Sequence, residues 1–285
     1  MIEIIAIGGY ATIQGCGRNG VQKYGIPKGG YMDRRSAVLA NKMLDNDLCS
    51  PLVELFGGHL SFHCHADMLL SLAGAFTTVS TGYDSIQSPA VFCAKKGDQV
   101  KIGTFSKGNI LYIAVKDGFN VDKSFGAAST YVPASLGPNA GTNLRIGDKI
   151  ETFDCEVSEK EKSDAFFDRH LPKNQSISVY KGPEFNLLTK NCKKTLFEES
   201  FEIGQVSRMG YRLFGTTIKT NGMAALTSRY VSRGTIQLPY GGNPIVLMSD
   251  SQTTGGYPRI AQVVARDIDA IAQMRTGSRV RFRLK

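Results

Sequence analysis

Short apolar runs recur along the chain at Ile2 to Ile7, Met68 to Leu72, Val100 to Gly103, Ile110 to Val115, Ile177 to Tyr180, Thr235 to Leu238, Ile245 to Met248 and Val280 to Leu284. Clusters of Gly, Pro, Asn and Asp bound them, so they read as strands joined by turns. Helical periodicity is sparse. Asp33 can cap a segment that places Ala37, Ala40, Met43 and Leu44 on one face and ends near Asn46. Asp267 can likewise cap a short helix through Ile268, Ile271 and Met274, stopped by Gly277. The pattern predicts a mainly β protein with a few short helices.

The stretch Glu156 to Gln175 is rich in Glu, Lys, Asp and Ser and carries few strand signals, so it reads as a linker. This gives domains at 1–160 and 176–285 around a linker at 161–175, as the length of 285 residues also suggests. The halves echo each other. Arg18 to Gly25 lines up with Arg208 to Gly215 at four positions: Arg, Gly, aromatic, Gly. Val53-Glu54-Leu55 before Gly57-Gly58 resembles Ile236-Gln237-Leu238 before Gly241-Gly242, and two echoes in the same order suggest a duplicated domain.

Composition narrows the function classes. No stretch approaches the roughly 18 apolar residues of a membrane span, and Met1-Ile2-Glu3 lacks the basic start of a secretory signal, so a cytoplasmic protein without membrane association is expected. Six widely scattered cysteines with no C-x-x-C pair predict reduced, partly buried thiols. The net charge of +9 is dispersed except at the C-terminus. There Arg279, Arg281, Arg283 and Lys285 alternate with Val280, Phe282 and Leu284, which is the period of a strand with one solvated face, not a nucleic-acid site.

Several stretches carry candidate chemistry. Gly15-Cys-Gly-Arg-Asn-Gly20 satisfies G-x-G-x-x-G, but the Gly and Pro that follow exclude the helix a pyrophosphate needs. No P-loop pattern occurs, so an autonomous P-loop ATPase is not expected and any nucleotide would need another mode of binding. His63, His65 and Asp67, with His59 nearby, lack a partner cluster, and no metal is expected; isolated His170 gives no catalytic triad. The most informative stretch is Pro244 to Pro258, where a buried strand ends in a polar turn. Gln252, Thr253 and Thr254 offer amide and hydroxyl groups, Gly255 and Gly256 permit close backbone approach, and Tyr257 can stack or donate. Arg18 and Arg208 can fork onto a carboxylate or phosphate, or tie their turns to an Asp or Glu. Asp33 completes the substrate-binding candidates; no catalytic residue is assigned.

Thr12-Ile-Gln14, Gly17-Arg18, Gly25-Ile-Pro27, Met32-Asp33, Leu39-Ala-Asn41 and Val53-Glu54 resemble the opening of the family that comprises the 5-oxoprolinase C subunit, KipA and allophanate hydrolase subunit 2. Arg208-Met-Gly-Tyr-Arg-Leu213, Gly234 to Pro239, Asp250 and Gln252-Thr-Thr-Gly-Gly-Tyr-Pro258 resemble its second half. The resemblance implies two tandem cyclophilin-like β-barrel domains. It further implies one component of an ATP-dependent 5-oxoprolinase that acts on a small amide or lactam, with a KipI-like B component and a LamB/YcsF-type A component. Two alternatives go with it: a biotin (carboxybiotin) carboxyltransferase as in urea carboxylase, and a noncatalytic KipA-type regulator of a KipI-like kinase inhibitor. The chain departs from the family pattern at Gly15 (Asp in the family), Gly29 (Ser), Ala128 (Arg) and Arg229 (Glu). The last exchange reverses a charge.

Overall fold

The computed structural model describes residues 1–82, 84–153, 176–219 and 226–285. The expected linker at 161–175, with Cys155 and His170, lies outside the described residues. Two compact units divide the chain, one of Met1–Arg18 with Gly29–Leu171 and one of Asn19–Lys28 with Pro172–Lys285.

The first unit contains β1 (Ile2–Ile7), β2 (Tyr10–Gln14), α1 (Arg34–Lys42), β3 (Leu52–Phe56), β4 (Leu60–Cys64), β5 (Met68–Phe76), β6 (Thr78–Thr81), β7 (Asp84–Gln87), β8 (Ala90–Ala94), β9 (Gln99–Ile102), β10 (Lys107–Val115) and β11 (Lys149–Ile150). They form a six-stranded sheet, β11-β1-β4-β9-β6-β7, and a five-stranded sheet, β2-β3-β10-β5-β8. One core joins both sheets, with Ile4, Phe62 and Val100 from the first and Val53, Leu72, Leu111 and Ile113 from the second. Each such side chain contributes about 1.5–3 kcal/mol when fully buried. The unbroken apolar run of β10 has a structural cause. Its alternate residues Ile110, Tyr112 and Ala114 are also buried, because α1 packs on β5 and β10.

Asp33 caps α1 as the sequence predicts, its carboxylate accepting from the Ser36 N–H at 3.1 Å. The cysteine expectation does not hold throughout. Cys64 and Cys192 are buried free thiols, and burial pushes the Cys64 thiol up to about 12, but Cys16 and Cys49 form a disulfide with Cα atoms 5.0 Å apart. Their 33-residue separation hides the pairing. It arises because β2 and β3 are antiparallel with Gln14 opposite Leu52, which brings the chain on either side of that pair together.

The second unit contains β12 (Ser176–Lys181), α2 (Lys190–Glu198), β13 (Phe201–Val206), β14 (Gly210–Phe214), β15 (Arg229–Tyr230), β16 (Thr235–Gln237), β17 (Ile245–Leu247), β18 (Thr254–Gly255), β19 (Arg259–Val263), α3 (Ala265–Ala272) and β20 (Arg279–Leu284). Seven strands close a barrel in the order β12-β19-β16-β17-β14-β13-β20. The parallel pair β12 and β20 completes it. Ile177, Val179, Phe201, Ile203, Tyr211, Leu213, Val280 and Phe282 are buried at alternating positions, the period a barrel interior requires. Arg279, Arg281 and Arg283 are exposed on the other face of β20, as the alternation predicts. A separate two-stranded ribbon pairs β15 with β18.

Two local readings change. Val264, not Asp267, precedes α3; the Asp267 carboxylate accepts from the Ser178 N–H at 2.7 Å and ties the helix to β12. The Arg18 and Arg208 echo also does not extend to local structure. Gly210–Phe214 is strand β14, whereas Gln22–Tyr24 is a single 3-10 turn. The second echo does persist, since Glu54 and Gln237 both lie in strands, β3 and β16. Helix α2 carries no strong sequence signal beyond Thr189, whose hydroxyl accepts from the Cys192 N–H. No helix among the described residues is long and apolar enough to cross a membrane.

Candidate functional site

The polar turn after β17 is built on a buried ion pair. The Arg208 guanidinium donates to Asp250 through Nε at 2.8 Å and Nη2 at 3.0 Å, with both side chains 5% exposed. The Asp250 N–H in turn donates to the Arg208 carbonyl at 2.8 Å. The bidentate fork fixes the start of the turn against the start of β14. Of the two roles open to Arg208 in the sequence, the structure shows the pairing one.

Beyond Asp250 the chain becomes more solvent-exposed toward Tyr257. Thr253 is buried, and its carbonyl accepts from the Val231 N–H at 3.0 Å. Gln252 donates through Nε2 to Gln237 Oε1 at 3.0 Å, and Gln237 donates to the Tyr257 carbonyl at 3.4 Å. Thr254 is exposed opposite Tyr230, and Gly255 lies opposite Arg229. A Cβ on Gly255 would lie 2.7 Å from Gln237 Nε2, and one on Gly256 would lie 3.0 Å from the Leu226 carbonyl. The two glycines therefore make room for the protein's own amide and carbonyl. Tyr257 is 41% exposed and meets Tyr240 edge-on, with ring centroids 5.9 Å apart.

Behind the ribbon lies a charged cluster that the sequence did not announce. Glu184 receives the Arg259 side chain at 2.9 Å and 2.7 Å and the Arg259 backbone N–H at 3.0 Å. The remaining Arg259 nitrogen donates to the Tyr230 carbonyl at 2.8 Å. These hydrogen bonds hold the Glu184 carboxyl below its ordinary value and raise Arg259 above its own. Arg229 approaches the same carboxylate only to 3.5 Å and is 57% exposed. Glu184 sits in a Gly-Pro turn with no periodic signal, so only its tertiary partners reveal it. In the same unit Gln22 donates to the Tyr230 hydroxyl at 3.3 Å.

The two remaining candidates belong to the first unit and are buried. Arg18 is 1% exposed and donates to the Ser129 carbonyl. Asp33 caps α1, while its N–H donates to Tyr112 Oη at 2.7 Å. Glu54, buried beside them, accepts from the Met32 N–H at 2.8 Å and from Tyr112 at 2.7 Å. Two positions that depart from the family pattern are neighbours here, because a Cβ on Gly15 would lie 3.2 Å from the Ala128 carbonyl. The family's Asp and Arg are thus absent together from one place. His65 pairs at the surface with Glu3 at 2.9 Å, Asp67 accepts from the Lys96 N–H at 2.8 Å, and no group of three or more metal-ligating side chains occurs among the described residues.

The comparisons with known proteins bear on the whole chain. It is 30% identical over 283 residues to the 5-oxoprolinase C subunit of Escherichia coli, covering 99% of this chain and 90% of the relative. Identity to the corresponding C subunit of Haemophilus influenzae is 29% over the same length, with 99% and 90% covered. The structure of the Kluyveromyces lactis urea carboxylase superposes with a TM-score of 0.89 at 22% identity, over 99% of this chain but 27% of that one. This last likeness concerns the fold. A family model described as "Carboxyltransferase domain, subdomain A and B" matches residues 24–284. The chain belongs to that carboxyltransferase domain family.

Proposed function

We propose that this chain is a non-autonomous subunit of an ATP-dependent 5-oxoprolinase-type amidohydrolase, working with a KipI-like B component and a LamB/YcsF-type A component. The observation that carries the reading is the near full-length similarity to the 5-oxoprolinase C subunit of Escherichia coli, 90% of which is covered. The substrate class is a small amide or lactam.

Opening such a bond develops negative charge on the carbonyl oxygen, and donors fixed in advance stabilise it. In this reading the Gln252 amide, the Thr254 hydroxyl and the Tyr257 hydroxyl are the binding groups, and the Arg208–Asp250 pair holds the turn that carries them. Arg208 then acts on the site by positioning, since it is buried with a structural partner, and Asp33 caps α1 in the first unit. ATP is consumed by the assembled complex. Coexpression with the A and B components should give ATP-dependent release of glutamate from 5-oxoproline, reduced by Thr254→Ala and Gln252→Ala without loss of assembly. An intact complex with no turnover would overturn the reading.

A second reading is favoured by the family model itself, which covers residues 24–284 as a carboxyltransferase domain. Biotin, when carboxylated, supplies a transferable carboxyl group. This reading predicts carboxybiotin-dependent carboxylation of a urea-like substrate.

A further inference from the structure

We propose that Arg229 is a specificity-determining residue that binds the carboxylate of an anionic amide ligand at the β15–β18 ribbon. This rests on the reading of the Gln252 to Tyr257 turn as an amide site and deepens it by fixing the charge of the ligand.

The first observation is a count of charge. Three nitrogens of the Arg259 side chain are engaged, two by Glu184 and one by the Tyr230 carbonyl. Glu184 is thereby neutralised by Arg259 in a bidentate pair, 7% exposed on the carboxylate side. Arg229, at 3.5 Å and 57% exposed, adds a second guanidinium to a carboxylate whose charge is already matched. The ribbon therefore carries one positive charge in excess, on a side chain open to solvent.

The second observation is direction. Arg229 and Gly255 are directly opposite in an antiparallel pair, so their Cβ directions share one face. From Gly255 that direction leads to the Gln237 and Gln252 carboxamides, 2.7 Å and 3.4 Å from where a Cβ would be. The missing Cβ makes room there for the Gln237 amide. A guanidinium thus stands on the face whose other border is a pair of amides. A ligand that carries a carboxylate and, a few bonds away, an amide matches both ends, whereas a neutral amide matches one. Guanidinium and carboxylate are geometrically complementary, which makes the pair selective as well as attractive.

The test compares ligands that differ only in the carboxylate. Calorimetric titration of the full chain with 5-oxoproline against 2-pyrrolidinone, and with succinamate against butyramide, should show the anionic member of each pair bound about ten- to a hundredfold more tightly. Arg229→Gln should abolish that preference, Arg229→Glu should reverse it, and Arg229→Lys should keep part of it. Unchanged circular dichroism shows that each variant has folded. In the assembled complex, Arg229→Gln should raise KM for 5-oxoproline far more than it lowers kcat. A preference that survives Arg229→Gln, or no binding of any of the four ligands, overturns the proposal. Turnover of 5-oxoproline with an unchanged preference leaves the 5-oxoprolinase reading standing without it. Arg229-dependent anion preference with no turnover leaves the proposal standing without that reading.

Discussion

The two units fix a buried carboxylate by different means. In the first, Glu54 is 1% exposed and accepts from the Met32 backbone and the Tyr112 phenol. Burial, reinforced by Glu54 and Asp33, pushes the Tyr112 hydroxyl well above its ordinary pKa. The phenol therefore remains a donor throughout the neutral range. In the second unit, Asp250 and Glu184 are each forked by a guanidinium. The Met32 amide and the Tyr112 phenol hold Glu54 at the start of α1. Charged forks hold the turn and the ribbon behind the candidate site, where an excess guanidinium remains exposed.

The largest effect that would break this contrast comes from Asp250→Ala, which leaves Arg208 buried beside a lost partner. A loss of about 3–5 kcal/mol is expected. Hydrogen exchange should quicken in β14 and β17 while β5 and β10 keep their protection; equal loosening of both units would contradict the contrast. Tyr112→Phe should cost less, about 1–3 kcal/mol, because it removes one donor from Glu54 and one acceptor from the Asp33 N–H. Its mark should be faster exchange at Met32, Asp33 and the first turn of α1, with the binding of amide ligands retained.

The smallest effect is one of pH. The folded-state value of Glu184 is depressed from 4.5, chiefly by the Arg259 side chain. Its contribution is therefore full above about pH 4.5 and disappears as pH falls through the lower folded-state value. Glu184→Gln should flatten that part of the acid-unfolding curve. If the slope is unchanged, Glu184 does not contribute to that part of the curve.

Much of the fold was legible in the sequence because period-two burial is a local property. Every strand run named from the pattern lies in or overlaps an observed strand, and β1 coincides with Ile2–Ile7. The Asp33 cap was legible for the same reason, since a side-chain oxygen and an N–H three residues on need no tertiary partner. Short strands such as β15 and β18, two residues each, left no pattern. At the candidate site the Gln252 to Tyr257 turn stood out by composition. Its supports did not: Asp250 was visible, but its pairing with Arg208 spans 42 positions, and Glu184 meets Arg259 across 75.

The sequence by itself determined the mainly β class, the cap of α1, the solvated face of β20 and the family, because each depends on neighbouring residues or on whole-chain similarity. Only the tertiary structure decided which charges are engaged and which remain available. It assigned Arg208 to Asp250, Arg259 to Glu184 and Cys16 to Cys49, and it left Arg229 exposed. The physical reason is that pairing energy depends on distance and burial between atoms remote in the chain, and a linear pattern contains neither.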